Sequence, residues 1–381
     1  MFMHTVGIVC EYNPMHLGHL YQINEIKKLY PDSIIAIVCC SCFTQRGELC
    51  VMNKWDKCRI ALENGVDLVI ELPFVYATQG ADVFASGSIK LLDSIGIDTL
   101  VFGSESNDIK KLESIAYTQL NDNNYDDKVR SYLDKGVNYP TALSLALKDI
   151  LGYSVSSPND LLAISYIKEI IRNNYKINYV SIKRTNSYYG DDNINDNIAS
   201  ASYIRDMYKK GEDIVKYLVK DSFSYLYKDI SMDKVFPYLK YRIISDRLDD
   251  IVDVDEGIHN KLKKNIMKCN CFNDIIDMVK SKRYTYNKIN RMLVHILCNF
   301  TKVENKDKNI DYVRLLGFSS RGQKYLGSIR KDKNIPIITH YKRGISNIFD
   351  IEYRITCIYG MIMGDEGLAK DEYSHKPIRV D

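Results

Sequence analysis

The first hundred residues alternate between short, continuously apolar runs and longer stretches whose apolar positions recur every three or four residues. "TVGIVC" (5–10), "SIIAIVC" (33–39), "DLVIELP" (67–73) and "DTLVFG" (98–103) read as strands. Between them, helical spacing runs through "LGHLYQINEIKKLY" (17–30), "KWDKCRIALENG" (54–65, ended by glycine) and about 77–94. Strands that are apolar on both sides and alternate with helices imply a parallel sheet covered on both faces. From 105 to about 174 the pattern is mainly helical, interrupted at "VSSPND" (155–160), and a further strand, "INYVSIKR" (177–184), follows. "GDDNINDN" (190–197) is too polar for a core and reads as a turn or lid. Beyond "SASYIRDMYKKG" (200–211) the chain becomes helical and basic. The expected organisation is a Rossmann-like α/β domain over 1–211 and a mainly helical, basic domain over 212–381, with the boundary inside 211–232.

Composition narrows the class. The longest apolar run, "IIAIVCCSCF" (34–43), is about half of the ~18 residues that a membrane span needs, and no basic segment precedes an apolar one at the amino terminus. A cytoplasmic protein without a membrane association is expected. The ten cysteines lack the regular spacing of a disulfide framework. Cys39, Cys40 and Cys42 lack a second pair to complete a tetrahedral metal site, so they read as small apolar residues ending a buried strand. Net charge is +3, unevenly spread: residues 1–190 hold 18 Lys and Arg against 21 Asp and Glu, leaving 34 against 28 for the remainder. A basic second half suits a polyanionic partner, although solvated faces often carry a few surplus lysines.

Chemistry concentrates in Asn13-Pro14-Met15-His16-Leu17-Gly18-His19, where the first strand turns into the first helix. Ligands of α/β sheets bind at such strand ends, and the helix start offers unpaired N–H groups to phosphate. Two histidines three apart share one helix face. They could be core residues, could share a metal, or could each donate a hydrogen bond to phosphate as charge moves to a leaving pyrophosphate. No third metal ligand is implied nearby. A later segment, Ser200-Ala201-Ser202-Tyr203-Ile204-Arg205, places a helix-capping serine before an arginine that could reach β- and γ-phosphates.

These two elements, in this order, resemble the HxGH and serine–arginine motifs of the nucleotidyltransferase superfamily. The longer series "GIVCEYNPMHLGHLYQ", "FTQRGELCVMNKWDKCRIAL", "GVDLVIELPFVYATQGADVFASGSIKLL", "VFGSE", "SPNDLLAISYIK", "IKR" and "IASASYIR" is similar to that of bacterial tRNA(Met) cytidine acetate ligases. "KSKRYTYNKINRMLVHILCN", "YVRLLGFSSRGQKYL" and "IEYRITCIY" extend the likeness over nearly the whole chain. Met15 and Leu17 stand where that family often has Phe and Asn, Ser202 where it has Thr, and "YYG" (188–190) replaces a more polar pattern. The resemblance implies a parallel-sheet nucleotidyltransferase domain with a mainly helical carboxy-terminal domain. It implies ATP, accompanied by Mg2+, as substrate, with acetate attacking the α-phosphate to give acetyl-AMP and pyrophosphate. The acetyl group then passes to N4 of cytidine 34 of elongator tRNA(Met). No protein partner and no directly bound metal are implied.

Carried over residue by residue, ATP contacts fall on Val9, Cys10, Glu11, Tyr12, Asn13, Pro14, Met15, His16, Leu17, Gly18, His19, Leu20, Tyr21 and Gln22, then on Gly103, Asn159 and Arg184. Ser200 and Ser202 join them as phosphate-binding caps, and His16, His19 and Arg205 are the expected catalytic residues. Gly103 could equally be a tight turn, Asn159 a helix cap and Arg184 a solvated cation. Arg46 and Lys54 are further candidates for phosphate, acetate or RNA. For RNA the run from Lys280 to Arg291 interleaves Lys280, Lys282, Arg283, Lys288 and Arg291 with Tyr284 and Tyr286, cations for phosphate and rings for stacking. A basic helix face with its tyrosines on the core would look the same. Arg314, Arg321, Lys342 and Arg343 are expected to extend that surface. Two other readings stand beside this one: adenylyl or acetyl transfer to a small molecule or protein thiol, which leaves the basic half without a use, and a noncatalytic nucleotide- or RNA-binding module, for which His16, Gly18, His19 and Arg205 have no need.

Overall fold

The apolar runs of the first half form five parallel strands: β1 (Thr5–Cys10), β2 (Ile34–Cys40), β3 (Leu68–Leu72), β4 (Thr99–Ser104) and β5 (Asn178–Lys183). A computed structural model describes residues 3–184, 198–281, 284–329 and 335–381; the expected lid at 190–197 and the "YYG" segment lie outside these. Every residue of β2 and β3 is buried, which is why both read as unbroken apolar sequence instead of alternating sequence. Helix α1 (Leu17–Leu29) links β1 to β2, and α2 (Lys54–Glu63) links β2 to β3. The helix expected over 77–94 is divided into one turn, α3 (Phe74–Ala77), and α4 (Ala81–Ile95), because Pro73 starts the first and Gly80 caps the second.

Strand order is β5-β4-β1-β2-β3, so the chain builds outward from β1 in one direction and returns to build in the other. Between β1 and β4 the connections leave on opposite sides and open a crevice at the carboxyl ends of the strands. The opening motif, directly after Cys10, and Gly103, near the end of β4, both stand there.

The second half is mainly helical over Phe236–Ser245, Ile258–Asn265, Phe272–Val279, Tyr286–Leu297 and Asn347–Met363. It also returns to the sheet. Strand β6 (Val313–Ser319) pairs antiparallel with β3, and β7 (Ile337–Ile338) and β8 (Ile378–Val380) pair with β6. The sheet therefore draws on both sides of residue 211. Among the described residues, no helix is long and apolar enough to cross a membrane.

A buried charge cluster fastens the returning segment. The Lys54 ammonium meets Glu71 of β3 at 2.6 Å and also Glu372. Arg314 of β6 faces Glu71 at 3.3 Å, pairs with Glu372, and lies against the rings of Trp55 and Phe349. Thr356 donates to Glu372 at 2.6 Å, and Glu352 accepts from the Phe74 N–H at 2.6 Å and from the Ser41 hydroxyl. Two expectations are corrected here. Lys54 and Arg314 are buried and paired, so neither is a phosphate, acetate or RNA contact. Arg321 differs: it is exposed, and its guanidinium donates to the Asp32 and Ser33 carbonyls at 2.6 and 2.7 Å.

Removing one partner from a buried ion pair strands the opposite charge, at a cost of about 3–5 kcal/mol. Glu372→Ala is expected to lower unfolding free energy by about that amount, read from the urea midpoint at unchanged slope. A loss under about 1 kcal/mol would mean that Glu71 and Glu352 neutralise both cations without it.

Candidate active site

From the end of β1 the chain crosses to the start of α1 in six residues, held by Asn13. Its Oδ1 accepts the Val51 N–H at 2.7 Å and its Nδ2 donates to the Leu49 carbonyl at 3.3 Å, tying the motif to the loop after β2. His16 then caps α1 in place of the usual serine or aspartate. Its Nδ1 accepts the Gly18 N–H at 3.0 Å, and His19 Nδ1 accepts the His16 N–H at 3.3 Å, a reciprocal box built from two imidazoles. The rings stack at 3.8 Å between centroids.

This cap fixes the tautomer. A neutral imidazole that accepts at Nδ1 carries its proton on Nε2, so both rings present an N–H away from the helix backbone. Both are held neutral: burial, then Arg184 and Arg205, lower His16 to about 3, and burial, then His16 and Arg184, lower His19 well below its ordinary range. Gly18 makes the arrangement sterically possible. A Cβ there would stand 2.8 Å from Cε1 and 3.0 Å from Nδ1 of His16.

The helix Ala201–Lys209 closes the site from the far side. Ser200 caps it, accepting the Tyr203 N–H at 3.2 Å, and Ser202 hydrogen-bonds to Ser200 at 3.1 Å. Arg205 reaches the Asn13 carbonyl at 2.8 Å and pairs with Glu48, so it braces the opening motif. On the β4 side, Asp160 accepts the Glu105 and Ser106 N–H groups, each at 3.1 Å, and orders the turn after Ser104. Asn159 donates to Glu105, and Arg184 lies 3.9 Å from the same carboxylate.

Two adjoining cavities result. A cleft of about 390 Å³ takes Val9, Cys10, Glu11, Tyr12, Asn13 and Asn159 into its wall, and a recess of about 70 Å³ takes His16, Gly18, Tyr21 and Ser200. His19, Gln22, Gly103 and Arg184 line both. Of the other expected contacts, Pro14 and Met15 are buried, Leu17 and Leu20 pack on the core, and Ser202 touches Ser200; none of these five lines either cavity. Arg46 lines the cleft. Gln45, Glu105 and Tyr166 carry parts of the site that sequence reasoning left unassigned. Gln45 and Glu105 sit inside the "FTQRGE" and "FGSE" segments, and Tyr166 follows Asn159 by two helical turns, a spacing that puts both on one face.

Asn287, from the basic run, also lines the cleft. The loop after β2 is seated directly on the helix Tyr286–Leu297: Gly47 has φ +75°, and a Cβ on it would stand 2.7 Å from the backbone nitrogen of Arg291. Lys280 is exposed, the Lys288 ammonium lies 4.8 Å from the centre of the Tyr284 ring, and Arg291 is half-buried. Lys282 and Arg283 lie outside the described residues. Among the described residues no group of three His, Cys, Asp or Glu could hold a metal ion, and Cys39, Cys40 and Cys42 are buried free thiols.

Comparison with known proteins gives the family and the fold. The model of the HIGH Nucleotidyl Transferase family matches residues 3–373. A protein named tRNA(Met) cytidine acetate ligase from Anoxybacillus flavithermus is 38% identical, covering 99% of this chain and 100% of the relative. One of the same name from Fusobacterium nucleatum is 39% identical, covering 88% and 87%. The apo crystal structure of Thermotoga maritima TmcAL superposes with a TM-score of 0.91 at 28% identity, over 99% of this chain and 100% of that one. The same protein bound with alpha-thio ATP superposes at 0.89, also at 28% identity and over 99% and 100% of the two chains.

Imidazole nitrogen spectra test the cap. In the unaltered protein the His16 ring is expected to keep the neutral, Nε2-protonated pattern as pH falls past its ordinary 6.5 and to titrate only near about 3. In Gly18→Ala, where the ring is displaced from the first turn, that pattern is expected to give way to ordinary titration. Identical spectra in the two proteins would show that Nδ1 is not fixed by the Gly18 N–H.

Proposed function

The chain belongs to the HIGH nucleotidyltransferase family, among the tRNA(Met) cytidine acetate ligases, and on that premise we propose that it activates acetate with ATP and acetylates a tRNA cytidine. The observation that carries the reading is the pair of neutral imidazoles whose Nδ1 atoms are both occupied, leaving two Nε2–H donors at the strand-reversal crevice.

The chemistry follows from where these donors stand. ATP, arriving as its Mg2+ complex, lays its phosphates at the start of α1, where free N–H groups and the helix dipole favour negative charge. An acetate oxygen attacks the α-phosphorus as the bond to the β-phosphate oxygen breaks. Negative charge grows on the departing pyrophosphate. His16 and His19 meet it with hydrogen bonds that need no prior proton loss, and Arg184 and the capped helix at Ser200 add to them. Esterification to AMP turns an unreactive carboxylate into an acyl donor, so no acetyl thioester is required. Arg205, paired with Glu48, keeps the motif in place and becomes a phosphate ligand if that pair opens.

The acceptor is the N4 amine of the wobble cytidine, position 34, of elongator tRNA(Met). Support comes from the names of the relatives and from Asn287, which joins the basic helix to the cleft wall. An anticodon loop suits such an entrance because its bases can be unstacked singly. The enzyme works in the cytoplasm, where its tRNA substrate is found.

Purified protein given Mg2+, ATP and labelled acetate is expected to release pyrophosphate in step with acetate and to label tRNA(Met). Acetate-dependent turnover that leaves tRNA unlabelled would move the acceptor to another molecule. His19→Ala is expected to lower adenylate formation by about 10²–10³-fold while ATP still binds, the scale of losing one charge-stabilising donor. Lys280→Ala with Lys288→Ala should weaken tRNA binding and reduce the salt slope by about one for each phosphate that the two ammonium groups neutralise, with acetate-dependent exchange retained. An unchanged slope would remove these two lysines from the RNA surface.

A further inference from the structure

Glu11 is a cleft group for which the first chemical step has no use. Acetate enters as an anion and attacks a phosphate that is already negative, so adenylate formation calls for cations and hydrogen-bond donors and for no base. A carboxylate in the same cleft opposes both reactants. Glu11 is nonetheless built in: it follows β1 directly and lines the cleft beside His19 and Gly103. Its Oε1 accepts the Gln45 N–H at 2.7 Å, and Gln45 is anchored by its own amide to the Gln79 carbonyl at 2.8 Å. Oε2 has no hydrogen-bond partner among the described residues.

The second step needs what the first does not. The cytosine N4 lone pair is delocalised into the ring, and the nitrogen must shed a proton as it bonds to the acetyl carbon. AMP departs through a weakly basic phosphate oxygen that is a poor acceptor for that proton. Most titratable side chains lining the cleft are unsuited to take it. Arg46 and Arg184 are cations, and His19 carries its proton on Nε2 with Nδ1 occupied by the His16 N–H. Tyr12 and Tyr166 are phenols that burial keeps protonated. Cys10 is a thiol on the buried floor at the end of β1. Glu11 is the one carboxylate among the described lining residues.

We propose that Glu11, through its free Oε2, accepts the N4 proton of the acceptor cytosine while the amine attacks the acetyl carbon, the base standing in the same cleft against Phe102 and Tyr166. The proposal rests on the acetyl-transfer reading given above. In the step, the N4–carbon bond forms, the carbon–oxygen bond to AMP breaks with its electron pair leaving on phosphate, and the proton passes from N4 to Glu11 and on to solvent. The aromatic wall is in place: Phe102 and Tyr166 lie 6.2 Å apart between ring centroids, and both are buried. Burial raises the Glu11 carboxyl above its ordinary 4.5, in the direction of a better base; the Gln45 N–H opposes this, Glu48 adds to it, and Arg205 and Arg46 oppose it.

The test separates the two steps in the full-length protein, with Glu11→Gln and Glu11→Asp beside the unaltered chain. Adenylation is read as acetate-dependent ATP–pyrophosphate exchange, and transfer as single-turnover labelling of tRNA(Met) by enzyme-bound acetyl-adenylate. Glu11→Gln is expected to lower the ratio of transfer to exchange by about 10²-fold or more, the range of a lost general base, and Glu11→Asp to recover part of it. In the unaltered protein transfer should rise with pH as Glu11 ionises and then level, and Glu11→Gln should abolish that rise. Parallel loss of exchange and transfer would overturn the proposal, since Glu11 would then serve only to fix the Gln45 loop. So would a Glu11→Gln transfer rate and pH profile equal to those of the unaltered protein. If the unaltered protein exchanges but never labels tRNA, the acceptor reading falls and the base assignment with it.

Discussion

Each of two imidazoles gives its Nδ1 to a backbone N–H of the first turn of α1, and the character of the crevice follows from those two hydrogen bonds. They satisfy donors that a helix start otherwise leaves open and set both rings in one tautomer, while burial, with Arg184 beside them, keeps both neutral without a carboxylate partner. A carboxylate cap would have satisfied the same donors while repelling phosphate. Gly18 belongs to the device because its missing side chain is the space that His16 occupies. The opening motif therefore uses structural capping and ligand binding as one arrangement, shared by His16, Gly18 and His19.

Around that turn the site is assembled by three unrelated supports. Asn13 ties the motif to the loop after β2, Arg205 ties it to the helix Ala201–Lys209, and Asp160 orders the turn that follows β4. The loop after β2 is in turn pressed onto the basic helix at Gly47 and Arg291. The nucleotide site and the surface proposed for RNA thus share one rigid seam, which suits a reaction whose activated intermediate must meet a macromolecular acceptor.

Strands β1 to β4 were legible because burial on both faces leaves no polar alternation to confuse their reading, and the half-buried edge strand β5 because its apolar residues follow a helical stretch. β6 was not, because Arg314 interrupts its apolar run, and a buried arginine is stabilised only by Glu71 and Glu372, which lie far away in sequence. β7 and β8, at two and three residues, are too short to show a period. The same long-range pairing misleads at Lys54: a lysine at a helix start after a polar loop looks like a phosphate ligand until Glu372 is brought beside it. His16, His19 and Gly103 were visible because strand, turn and helix follow one another locally. Gln45 and Tyr166 reach the cleft only through tertiary packing, so their segments were visible and their roles were not.

The antiparallel pairing of β6 with β3 also has a consequence for how the protein is made. During synthesis β3 emerges with one edge open, and Lys54 and Glu71 must wait for most of the remaining chain before Arg314 and Glu372 join them. The sheet that carries the nucleotide site is closed by segments far along the chain from the strand that they cover. Such distant pairings are slow to form, and an unpaired apolar edge in the meantime invites association with other nascent chains. Chains truncated before the final strands would therefore be removed as incompletely folded proteins, and would not accumulate as an adenylating domain that lacks its acceptor surface.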